Sequence, residues 1–187
     1  PWHRRDMSLA PTRTCDGCSL CCKVLRIDWL EKPANKRCVH SVPGGCGIHG
    51  SHPAGCRDFF CLWIDNAAFG PEWKPDKARF VMTKSPSGRG LLLNVDIDAP
   101  DAWKVEPYYS QLKYYAQATQ QGNYIVVCVG DRFWAIFPEE NLAICELGAG
   151  SQISVGYKDS PGGRQPFATV QAGDGSVQSF HGGVYGH

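Results

Sequence analysis

Apolar and polar positions fall into regular periods only in the later part of this 187-residue chain. Ala78-Arg79-Phe80-Val81-Met82-Thr83 reads as a strand, Ser85-Pro86-Ser87-Gly88-Arg89-Gly90 as a turn, and residues 91–97 as a second strand. Pro107 suits a first helical turn, and Tyr108, Leu112, Tyr115 and Thr119 recur at helical spacing until Gly122 stops the element. Three short β-type runs follow at 124–129, 132–137 and 141–147. Gly130-Asp131 and Pro138-Glu139-Glu140 separate them, which predicts an antiparallel meander. Beyond Gly148 glycine is frequent, residues 152–157 and 167–170 are edge-strand candidates, and His181 and His187 fall in what reads as a flexible tail.

The earlier part behaves differently. Residues 1–14 form a polar lead-in, with Met7 expected as the natural start and Pro1–Asp6 as foreign to it. From Thr14 to Trp63 periodic apolar patterning is sparse and Cys, Gly, Pro and His are dense. Such a stretch buries little apolar surface, so covalent or metal bonds are expected to hold it. Asp65 to Asp76, with Pro71 and Pro75, reads as a linker.

Charge and hydropathy narrow the function classes. There are 19 Lys and Arg against 18 Asp and Glu, which argues against a general nucleic-acid binder. Mean hydropathy is −0.29 and no apolar run nears the ~18 residues of a membrane span. The expected setting is cytoplasmic and away from the membrane, with no signal-peptide pattern visible. Residues 1–61 carry nine basic and five acidic side chains, so that segment is mildly electropositive, which favours thiolates.

Ten cysteines change the picture most, because eight of them lie between Cys15 and Cys61. They run Cys15-x2-Cys18-x2-Cys21-Cys22, then Cys38, Cys46, Cys56 and Cys61. C-x-x-C spacing lets two sulfurs reach one metal. Cys21 and Cys22 are adjacent, and neighbouring side chains diverge, so they are expected to serve different roles or different metals. Three explanations compete: a disulfide framework, which needs an oxidising compartment and for which C-x-x-C-x-x-C-C is awkward; structural zinc, of which eight thiolates fill two sites; and an iron–sulfur cluster, which takes four thiolates; spacing alone does not separate the last two.

Other residues are weighed against plain structural roles. His40, His49 and His52 are candidates to replace a thiolate or to donate to a cluster sulfur. Arg57 is a candidate contact for a cluster or an acidic partner, and Asp58 for orienting a histidine or capping a turn. Cys128 and Cys145, in β-type runs that could neighbour each other, read as buried small residues of a sheet core. Trp29, Phe59, Phe60, Trp63, Phe69 and Trp73 are expected to wall the cysteine segment. Tyr108, Tyr109, Tyr114 and Tyr115 are expected on one helix, with the exposed ones available to a partner. No Ser/His/Asp order, P-loop or H-E-x-x-H run is present.

The residues Cys15-Asp16-Gly17-Cys18-Ser19-Leu20-Cys21-Cys22, Cys46-Gly47-Ile48-His49 and His52-Pro53-Ala54-Gly55-Cys56-Arg57-Asp58-Phe59-Phe60-Cys61 together resemble the YkgJ-type cysteine-cluster family. This is a zinc- or iron-chelating domain family that also occurs in flagellin lysine N-methylases. The chain departs from the family pattern at Ser19, where glycine is common, and at His52-Pro53, where Arg-Pro is usual. The resemblance covers residues 15–63. It implies metal chelation through Cys15, Cys18, Cys21, Cys22, Cys38, Cys46, Cys56 and Cys61, with a [4Fe–4S] iron–sulfur cluster as the leading cofactor and zinc as the alternative. It leaves enzymatic activity undecided, since a methylase would need a site for S-adenosylmethionine and no Gly-rich strand-to-helix turn offers one.

The expected architecture is therefore α+β. Residues 1–75 form a cysteine-rich metal-binding module with few regular elements. Residues 76–187 form a small antiparallel sheet with one packed helix and a Gly-rich tail, either separate from the module or integrated with it. The expected function is that of a cysteine-ligated metalloprotein with a redox or fold-supporting role. The alternatives are a structural-zinc module for a protein partner and a protein-modifying, methylase-like enzyme.

Overall fold

A computed structural model describes residues 13–15, 17–145, 147–148 and 150–185. Most of the expected polar lead-in, the proposed start at Met7 and the tail residue His187 lie outside the described residues. The fold is mixed α and β, with strands in three sheets and short helices. Two units are distinguished. One runs to Lys84 and takes in Asn94–Trp103; the other comprises Ser85–Leu93 and the chain from Lys104 onward.

The first unit holds α1 (Cys21–Val24), β1 (Ser41–Val42), β2 (Gly45–Cys46), α2 (Ala54–Arg57), α3 (Leu62–Asp65), α4 (Pro75–Ala78) and β3 (Phe80–Lys84). Strand β4 (Gly90–Val95) is followed by the second unit's α5 (Tyr108–Ala116), β5 (Tyr124–Val129), β6 (Arg132–Ile136), β7 (Asn141–Ile144), β8 (Gln152–Ser160), β9 (Gly163–Gln171) and β10 (Val177–His181). The sheet orders are β1-β2, β3-β4-β5-β6-β7 and β10-β9-β8.

Several expectations change at this level. The stretch expected as a linker is packed: Pro71–Trp73 make a 3-10 turn, α4 begins at Pro75, and Phe69, Trp73 and Pro75 are buried. The Trp73 ring meets Phe69 at 5.3 Å and Phe80 at 5.9 Å. The first predicted strand starts at Phe80, because proline at the first helical position draws Ala78 into α4 and Arg79 ends that turn in the left-handed region (φ 60). The second ends at Val95, since Asp96 is taken by ion pairs with Lys23 (2.5 Å) and Arg79 (2.7 Å). Asp98 also holds the Lys23 ammonium. Lys23 and Asp96 are both buried, so Lys23 fixes α1 and the cysteines on it to the chain around Asp96. Burial works against the Lys23 ammonium, but the hydrogen bonds to Asp96 and Asp98 outweigh it and raise its pKa.

In the second unit the meander β5-β6-β7 is present, with Val126 opposite Ala135 and Ala135 opposite Leu142. Its buried face, including Val126, Ala135 and Phe137, packs with Val155 of β8 and Ala168 of β9. Helix α5 buries Leu112 and Ala116 and leaves Tyr114 exposed, as the period predicts. The β8–β9 hairpin is longer than the two edge strands expected, and His181 ends β10 opposite Phe167 rather than lying in a tail. Cys128 lies in β5 and packs against the core, whereas Cys145 follows the end of β7; β6 stands between those strands, so the two are not on adjacent strands.

One polar lock in this unit is pH-sensitive. Tyr157 Oη donates to Glu139 Oε2 at 2.7 Å and Arg164 Nη2 donates to Oε1 at 2.6 Å, with the guanidinium 4.5 Å from the Tyr157 ring centroid. Burial opposes the Glu139 carboxylate, but the donors from Tyr157 and Arg164 outweigh it and hold its pKa below the usual 4.5. A depressed carboxylate pKa stabilises the fold above the unfolded value and loses that contribution as pH falls through the folded one. Glu139→Gln is therefore expected to cost about 1.5–3 kcal/mol at neutral pH in urea unfolding. The gap to the unchanged protein should narrow below the ordinary carboxylate pKa.

Candidate functional site

The cysteine segment is positioned by short turns rather than by long elements. Its first knuckle is closed by the Cys18 amide donating to the Cys15 carbonyl at 3.0 Å, with Gly17 at φ +74, a conformation that glycine adopts without strain. The amides of Lys23 and Val24 donate to the Leu20 carbonyl and start α1. Next, the Cys38 amide donates to the Cys22 carbonyl at 2.9 Å and the Asn35 amide to Val24, which ties the following loop back onto α1. Pro43 and Gly44 (φ +84) then turn β1 into β2, the residue pair a type II turn needs, and set Cys46 opposite Ser41. Cys56 lies in α2, held by its amide on the Pro53 carbonyl, and Cys61 immediately precedes α3.

These turns place the eight cysteines around two cavities. Cys15, Cys18, Cys21, Cys22, Cys38, Cys46 and Cys56 line one cavity of about 530 Å³, alongside His40, His49, His52, Arg26 and Trp29. Cys61 is buried and shares a smaller cavity, about 20 Å³, with Cys15, Cys18 and Cys21. All ten cysteines of the chain are free thiols, so the disulfide framework is not formed. Among the described residues, no three His, Cys, Asp or Glu side chains stand close enough together to hold an ion as they are. A single zinc needs four sulfurs about 2.3 Å from one centre, so a metal would have to draw these thiols inward.

The thiols sit in two kinds of surroundings. Cys15, Cys18 and Cys21 pack with buried Leu20, Val24, Cys61, Ile64 and Val81. Burial pushes the Cys18 and Cys61 thiols up, while the amides of Leu20 beside Cys18, and of Ile64 and Trp63 beside Cys61, act in favour of the thiolate. Around Cys22 cations gather instead. The Cys21 thiol donates to Cys22, and with Lys32 and Arg37 nearby this brings Cys22 down to about 7; the same contact pushes Cys21 up. Arg37 is steadied by Ser41 Oγ at 3.2 Å and Ser19 Oγ at 3.4 Å.

Lys32 was not among the residues the sequence singled out. Its side chain is buried and its ammonium donates to the carbonyls of Lys23, Leu25 and Pro33. Burial lowers its pKa, and the sulfurs of Cys38, Cys22 and Cys21 pull it back. A buried lysine in a segment without period leaves no signal in the sequence. Trp29 departs from its expected place in an apolar wall: it is 47% exposed and lies over Gly55, where an added Cβ would meet the indole nitrogen at 2.8 Å. Phe60 is also exposed, while Phe69 and Trp73 are buried. His49 and His52 stack at 5.1 Å, and His52 Nδ1 accepts the Gly50 amide at 3.0 Å. Arg57 and Asp58 pair with each other at 3.5 Å on the surface.

No known protein family, curated protein or solved structure matches the chain. Among the described residues no helix is long and apolar enough to cross a membrane.

Replacing Lys32 by Met strands three carbonyls beside the thiols. The metal-free, reduced protein is expected to lose about 1–3 kcal/mol in urea unfolding. Unchanged stability would show that the ammonium does not hold this loop.

Proposed function

We propose that this protein is a cysteine-ligated metalloprotein whose thiolates hold an iron–sulfur cluster, with a redox or fold-supporting role. One observation carries the reading: eight cysteines from separate turns gather around two adjoining cavities, in a segment that has almost no apolar core of its own. From Leu25 to Phe60 the only buried residue is Lys32. Metal–thiolate bonds would supply the cohesion that packing lacks there.

In chemical type the donor set suits the group, although the thiols would have to draw inward to reach one centre. Four thiolates hold a [4Fe–4S] cluster, and eight are at hand. Bound there, a cluster would supply a one-electron couple. The chain's own residues bear on it in two ways. Backbone amides of Leu20, Trp63 and Ile64 face the sulfurs of Cys18 and Cys61 and favour their thiolate forms. Lys32 and Arg37 set positive charge beside Cys22, which offsets the negative charge of a thiolate-bound centre and favours its reduced state. Such free thiols suit a reducing compartment such as the cytoplasm.

Protein prepared without oxygen is expected to contain iron and acid-labile sulfide and to absorb broadly near ~400 nm, with the absorbance bleaching on reduction. Zinc without colour would replace the cluster by a structural-zinc module, whose role is then contact with a partner protein. No metal of any kind would end the metalloprotein reading. Cys18→Ser and Cys61→Ser are each expected to lose metal and loosen the cysteine segment, while Cys128→Ser, whose partly buried thiol packs against the sheet core and is pushed up to about 12 by desolvation, should leave metal content alone.

A further inference from the structure

We infer that the eight cysteines form two separate four-thiolate centres, an inner one of Cys15, Cys18, Cys21 and Cys61 and an outer one of Cys22, Cys38, Cys46 and Cys56. This rests on the metalloprotein reading and adds to it the number of centres and the ligands of each.

Two observations set the inner four thiols apart. The first is the lining of the smaller cavity, whose four cysteines are Cys15, Cys18, Cys21 and Cys61. The second is packing: those same four meet in one apolar cluster with Leu20, Val24, Ile64 and Val81. The backbone bond from the Cys38 amide to the Cys22 carbonyl, and the hairpin that carries Cys46, belong to the outer group as well.

The geometry of α1 explains why the division falls between two consecutive residues. Successive side chains on a helix point about 100° apart, so Cys21 turns toward the apolar cluster and Cys22 toward Lys32 and Arg37. The two sets meet where the Cys21 thiol donates to Cys22, and Cys15, Cys18 and Cys21 share the larger cavity with the outer four. Eight thiolates on one centre would also exceed the four that either zinc or a cluster takes.

The two centres differ in access. The inner one is walled by Phe59, Trp63 and Ile64. All four outer thiols line the 530 Å³ cavity, whose walls also carry His40, His49, His52 and Trp29; Cys15, Cys18 and Cys21 reach that cavity too, but Cys61 is buried and does not line it. Small chelators and oxidants therefore reach the outer metal first.

The test uses the whole chain, prepared without oxygen, with iron, zinc and sulfide counted per molecule and metal release by a chelator followed in native mass spectrometry. Unchanged protein is expected to lose its metal in two steps. Cys56→Ser should remove the fast-leaving half and Cys61→Ser the slow-leaving half. The pair Cys18→Ser with Cys61→Ser should retain as much metal as Cys61→Ser alone, and the pair Cys56→Ser with Cys61→Ser should retain none. The same-set comparison stays decisive even if each variant is less stable, because both share the Cys61 change. Release in a single step, or equal metal content in the two double variants, would overturn the division while leaving the metalloprotein reading standing. Absence of metal from the unchanged protein would overturn both.

Discussion

Cohesion without an apolar interior is the constraint that shapes the first unit. Between Leu25 and Phe60 the chain buries Lys32 and nothing else, while the buried aliphatic cluster of Leu20, Val24, Ile64 and Val81 lies to either side of that stretch in sequence. Burial of apolar surface is the main favourable term in folding, at roughly 25 cal/mol per Å². A stretch of this length that contributes so little of it must be held otherwise. What holds it here is a handful of backbone ties to α1, one buried ammonium serving three carbonyls, and glycine and proline turns that return the chain to the same place.

The thiols are not equivalent, and the difference follows from what surrounds them. On one side apolar packing raises the cost of charge and backbone amides partly offset it; on the other, Lys32 and Arg37 favour the thiolate directly. A metal bound here would displace thiol protons, and the cation-rich side would give up its protons more readily. Lys23, one residue beyond Cys22, is locked into Asp96 and Asp98 and keeps α1 from turning its two cysteines away.

The meander β5-β6-β7 and the helix before it were legible because their periods are long enough to be unambiguous and glycine or proline marks each end. The poverty of apolar burial through the cysteine segment was legible too, from the absence of any period there. Element edges were lost where a neighbour competes for a residue: Asp96 looked like strand until its ion pairs claimed it, and Ala78 until Pro75 began a helical turn. The Asp65–Asp76 stretch looked like a linker because its prolines suggest extended chain, yet Phe69 and Trp73 supply ring contacts that fold it in. Strand β10, with Val177, Phe180 and alternating polar residues, was hidden by the glycines around it. At the site, the eight cysteines were visible as candidates, but Lys32 and the place of Trp29 over Gly55 are tertiary facts with no local pattern.

Amide hydrogen exchange across residues 25–60, compared between metal-loaded protein and the same protein after chelation under reducing conditions, tests the central claim most directly. Since those residues bury almost no apolar side chain, the account predicts protection in the loaded protein that collapses on chelation, while β5, β6 and β7 stay protected. Equal protection of residues 25–60 in both states would contradict it.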